Sequence, residues 1–178
     1  MDTTIDPRAF DPGPLAEVTA HQDGDRWTVV FVRDLKHPPA AVWTALTDPE
    51  QLARWAPYTA GRNLGATGPA TLTMLDADGP GELPPAEVTR ADPHVLLEYD
   101  WGGDRLRWEL APTAGGTRLR LSHTVASRDL VSKVAAGWHL CILVADRLLD
   151  GAPIGPIRGQ DAMNYGWGDL EAAYADEL

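Results

Sequence analysis

The chain has 178 residues, enough to bury one sizeable core and short for two. Its composition, 44% hydrophobic and 23% charged, is that of a globular domain and excludes wholesale disorder. A formal net charge of -11, from 26 acidic and 15 basic side chains, argues against duplex nucleic acid and anionic membranes as partners.

Residues 1–26 are rich in Asp, Pro and Gly, and are expected to form a flexible acidic arm ahead of a single domain over 27–178. WTVVFVRDL (27–35) reads as a strand with Trp27, Val29, Phe31 and Leu35 on one face. Pro39 then opens the helix AAVWTAL, which gathers Val42, Trp43 and Leu46 on one side. Asp48-Pro49-Glu50-Gln51 reads as a second helix start, with Asp48 as cap and Gln51 at the capping-box position. That short helix carries Leu52 and Trp55 and stops near Pro57.

Strands follow. ATLTML (70–75) alternates and runs into DADGPGELPP, a segment whose Gly and Pro content predicts an irregular loop. AEVTR and HVLLEY come next, then DRLRWEL and TRLRLSHTV on either side of the turn PTAGG. In the last pair Leu106, Trp108 and Leu110 share a face, as do Leu119, Leu121, His123 and Val125, while the arginines between them face water. One dry and one wet face is the mark of an antiparallel sheet covered on one side.

The segment 129–150 is helical, with a broad apolar stripe through Val134, Trp138, Cys141 and Ala145. Leu140, Leu143 and Val144 fall on its back and need a cover. The chain's end supplies one in Trp167, Leu170 and Tyr174 at helical spacing; a homodimer or another protein partner is the alternative. Residues 151–163 read as a tether. Strand, two short helices, antiparallel strands and a long helix make an α+β architecture in which the sheet curls over the final helix.

These motifs resemble the START-like helix-grip (SRPBCC) superfamily, and within it the family of the activator of Hsp90 ATPase homologue 1. The resemblance rests on VRDLKHPPAAVWTALTDPEQLARW (32–55), GGTRLRLSHT (115–124), GWHLCILVADRLLDG (137–151) and the closing Trp167, Leu170 and Tyr174. It implies a curved antiparallel sheet wrapped around a long C-terminal helix. The superfamily's roles include lipid carriage, cyclisation of aromatic products and co-chaperone work, so the resemblance carries the fold further than the function.

A sheet and helix so arranged either fill the space between them or leave a chamber. Trp138, Cys141 and Ile142 on the helix, Trp108 and His123 on the last strands, and Met74 on an earlier strand are the expected walls, with Trp55 and Tyr58 at the rim. Apolar walls with a few polar tips suit a small hydrophobic or aromatic ligand. His123 continues a dry face, so it is the candidate acid or base for a cyclase or dehydratase-type reaction. A third reading is an interaction module acting through its exterior, similar to the Hsp90 activator domain.

The five histidines are scattered and no cysteine pair accompanies them, so no metal or cofactor is expected. The lone Cys141 cannot form an intramolecular disulfide, and the N-terminus lacks the pattern of a secretory signal. No apolar run is long enough for membrane insertion, and the expected location is cytoplasmic.

Overall fold

The alternation of the last two strands organises the sheet. The structure, a computed structural model, describes residues 5–76 and 79–178. Its strands are β1 (Glu17–Asp23), β2 (Arg26–Leu35), β3 (Tyr58–Ala60), β4 (Gly68–Ala70), β5 (Leu72–Asp76), β6 (Gly79–Glu82), β7 (Ala86–Asp92), β8 (Leu96–Trp101), β9 (Asp104–Thr113) and β10 (Gly116–Val125). Its α-helices are α1 (Pro39–Thr47), α2 (Pro49–Trp55), α3 (Val131–Leu149) and α4 (Trp167–Glu177).

Every inter-strand pairing is antiparallel among the described residues. The main sheet runs β1-β2-β10-β9-β8-β7-β4, and β3-β5-β6 form a smaller one. Leu106, Trp108 and Leu110 on β9 and Leu119, Leu121 and His123 on β10 are all buried. Their partners across the pleat carry the charge: Arg107 reaches Glu98 at 3.1 Å and Arg120 reaches Glu109 at 3.5 Å. Helix α3 packs along β2 on the dry side, giving the helix-grip fold. No helix among the described residues is long and apolar enough to cross a membrane.

Three local expectations are corrected. Residues 17–23 lie in the segment expected to be a loose arm, yet they pair with β2 along their whole length. Their own pattern is weak, and the ladder offered by the edge of β2 orders them. Part of the Gly- and Pro-rich segment forms β6, which pairs with β5; residues 77 and 78 lie outside the described residues. At α2, Asp48 caps as expected by accepting from the Glu50 amide at 3.1 Å, but the box does not close. The Asp48 amide already donates to Thr44 O at 2.9 Å in the last turn of α1, and the buried Gln51 Oε1 has no partner.

The chain's end covers the back of α3. Leu170 and Tyr174 on α4 are buried, and with them Leu140 and Val144 on α3. A hydrogen-bond relay ties this layer to the N-terminal segment. His139 Nε2 donates to Pro12 O at 2.7 Å, because a carbonyl can only accept. In the neutral ring Nδ1 therefore accepts from Tyr174 Oη, also at 2.7 Å, and that oxygen accepts from the Ala16 amide at 2.9 Å. Burial holds the His139 pKa below its ordinary value, opposed by the Pro12 bond and assisted by nearby Arg33.

Two predictions follow from this framework. A Cβ at Gly116 would sit 2.2 Å from Leu35 O and 2.7 Å from the His37 amide, and its φ is +152°; one at Gly115 meets nothing within 4 Å. Gly116→Ala should cost about 2 kcal/mol or more, or about 4–8 °C in thermal midpoint, while Gly115→Ala stays within about 0.5 kcal/mol. Equal midpoints for the two variants would refute the close approach. For His139, the unfolded chain takes up a proton near pH 6.5 while the folded chain resists it, so this residue subtracts stability as pH falls below about 6.5. Thermal unfolding between pH 7.5 and 5.5 should show a shallower decline for His139→Gln than for wild type; parallel declines would count against the relay.

Candidate functional site

The space between sheet and α3 is largely filled by rings meeting edge to face. Trp55, the last residue of α2, stands at 89° to Trp108 with centroids 6.1 Å apart. Trp108 stands at 88° to Trp138 on α3, 5.3 Å away. Three indole N–H groups are satisfied: Trp55 donates to Ala45 O at 2.8 Å, Trp108 to Tyr99 Oη at 3.3 Å, and Trp138 to His123 Nδ1 at 2.9 Å. The Tyr58 and Tyr99 hydroxyls bond to one another, and burial raises both pKa values, that of Tyr99 to about 12. These phenols are neutral hydrogen-bonding groups.

Trp55 and Tyr58 are therefore core residues, not a rim, and Trp108 is fully enclosed. The Pro49–Trp55 helix points its final ring inward, where α1 supplies the carbonyl of Ala45. Met74 is half-buried opposite Tyr58 in the small sheet, and Ile142 is buried in the core. None of these five lines the apolar cavity beside α3.

That cavity, about 230 Å³, lies on the flank of α3 beside Trp138. Val134, Gly137, Trp138, Leu140 and Cys141 form its helical wall. Trp101 and His123 close it from the sheet, and Pro57 from beyond α2. Its outer side is Ile157, Arg158, Gly159, Ala162 and Trp167, so the presumed tether is a wall. Gly159 is exposed and brings the cavity to the surface. A Cβ built on Gly137 meets nothing within 4 Å, so the missing side chain leaves part of this space open.

His123, Trp138 and Cys141 are thus the three expected residues that the cavity unites. Both nitrogens of His123 are occupied, however. Nδ1 accepts from Trp138, so in the neutral ring Nε2 carries the proton and donates to Asp104 Oδ2 at 2.8 Å. Asp104 in turn pairs with Arg26 at 3.0 Å. This chain holds Trp138 in place and, in the neutral ring, leaves no imidazole lone pair for a guest. Cys141 is buried and its pKa is pushed up to about 12, so it lines the cavity as a neutral thiol.

Trp101, Gly137, Arg158 and Trp167 were not foreseen as site residues. Gly137 carried a signal, since glycine inside an apolar helix costs about 1 kcal/mol against alanine and calls for a reason. Arg158 carried another as the lone base in an acidic closing segment. It is half-buried, donates from Nε to Ala56 O at 3.1 Å and from Nη2 to Ala53 O, and so caps the carbonyl end of α2. Burial lowers its pKa from the ordinary arginine value. Trp101 Nε1 is buried with no hydrogen-bond partner.

Among the described residues one group has metal-ligand proximity: His37, Asp146 and Asp150, outside the cavity. His37 Nε2 lies 2.9 Å from Asp146 and 3.1 Å from Asp150, hydrogen-bonding distances that clamp the segment before α1 to the end of α3.

Comparison with known proteins bears on the fold and the family. A search of curated proteins finds no match. The crystal structure of CalU16 from Micromonospora echinospora is similar at TM-score 0.67 and 18% identity, over 90% of this chain and 96% of that one. A conserved protein of unknown function, EF2215 from Enterococcus faecalis, aligns at TM-score 0.66 and 17% identity, over 91% and 90%. Protein MLL2253 from Mesorhizobium loti aligns at TM-score 0.59 and 27% identity, over 70% of this chain and 97% of that one. The first two likenesses speak to fold alone. The family model described as activator of Hsp90 ATPase homolog 1-like protein matches residues 36–148, well over half of the sequence, and the chain belongs to that family.

Proposed function

We propose that the protein binds a small, largely apolar molecule of aromatic character in the cavity on the flank of α3. One observation carries this reading: a space of about 230 Å³ with apolar walls reaches the surface beside an otherwise filled core. An apolar cavity of about 150 Å³ suffices for benzene, so this one suits a compact ring with a substituent. Burying about 200 Å² of such a guest would contribute about 5 kcal/mol before ordering costs. Trp138 and Trp101, tilted against one another with centroids 6.0 Å apart, supply aromatic wall, and Gly137 supplies the room.

The interaction-module reading called for an exposed apolar patch around Leu140 and Val144. Both are 1% exposed, covered by the chain's own end, which favours the ligand.

Indole is a suitable uncharged probe, read by calorimetry. It should bind wild type, and Gly137→Leu should weaken it at least about tenfold by filling the space, with the helix retained because leucine is the better helix former. Unchanged affinity in a folded Gly137→Leu protein would reject the cavity as the binding place.

A further inference from the structure

We infer, building on that reading, that the ligand is an anion: a small aromatic acid whose carboxylate is held by Arg158 at the outer wall. Among the described residues, the one formally charged side chain that lines the cavity is a donor without an acidic counterpart. Arg158 uses Nε and Nη2 on two backbone carbonyls and forms no ion pair among the described residues, which leaves Nη1 and the formal charge available. His123 is saturated, Cys141 is a neutral thiol, and no carboxylate lines the wall. A guest that matches this set presents acceptors, and a charged acceptor matches it best.

The placing of Arg158 makes the same point. A half-buried cation without an acid is costly, and burial already lowers its pKa. The two carbonyls at the end of α2 fix the guanidinium but neutralise it only in part. In a chain of net charge -11, with five acids in residues 161–178, this is the lone basic group from 151 onward, and it faces the cavity. Arg158 lies in the closing segment, beyond the family-matched span 36–148.

The test compares isosteres. Indole-3-carboxylate and indole-3-carboxamide differ in charge and hardly in shape. Calorimetry at low ionic strength should find the carboxylate at least about tenfold tighter on wild type. Arg158→Gln should reduce that preference to within about twofold, and Arg158→Lys should restore part of it. The wild-type comparison needs no variant and stands even where Arg158→Gln fails to fold. A carboxamide that binds wild type as well as the carboxylate overturns the acid assignment and leaves the cavity reading intact. Failure of indole and both derivatives to bind overturns the two together.

Discussion

The position of α3 over the sheet depends on Trp138. Its ring meets Trp108 edge to face, and its N–H is taken by His123, which Asp104 and Arg26 orient from the sheet's end. A buried indole N–H without an acceptor would be expensive, so the hydrogen bond fixes the rotation of the helix as well as its height. With Trp55 and Tyr58 also turned inward, the middle of the helix-grip is solid. Apolar open space survives to one side of it, where Gly137 replaces a side chain with nothing.

The closing segment turns that space into a cavity. Its helix α4 seals the back of α3 through Leu170 and Tyr174, and Tyr174 extends the seal to the N-terminal segment through His139 and Ala16. Residues 157–167 then stand as an outer wall, held by the grip of Arg158 on the end of α2. One arginine thus joins a structural task, capping exposed carbonyls, to an electrostatic one, placing a positive charge beside an apolar space. Both tasks fall to a residue outside the family-matched span, which stops at residue 148. Fold is shared widely in such families, and the site carries what is particular to one member.

Much of the framework was legible in the sequence because it follows short-range rules. Alternation in DRLRWEL and TRLRLSHTV assigned the dry face, Asp48 announced α2, and the apolar back of α3 called for the cover that α4 provides. Of the eight residues expected as walls or rim, three line the cavity. His123, Trp138 and Cys141 were found because an inward direction follows from periodicity. Trp55 and Tyr58 were misplaced at a rim because periodicity does not say how deep an inward ring lies. β1 and β6 escaped notice because their order comes from the partner strand and not from their own residues.

By itself the sequence determined an α+β helix-grip architecture, an apolar interior rich in tryptophan, and a covered long helix, since these depend on pattern and composition. Only the tertiary structure decided where the interior is full and where it is open. It also decided that His123 is spent on Trp138, and that Arg158 meets Trp101 at one cavity 57 residues further along the chain. Packing volume and hydrogen-bond partnership are properties of groups brought together from distant positions, and no local pattern records them.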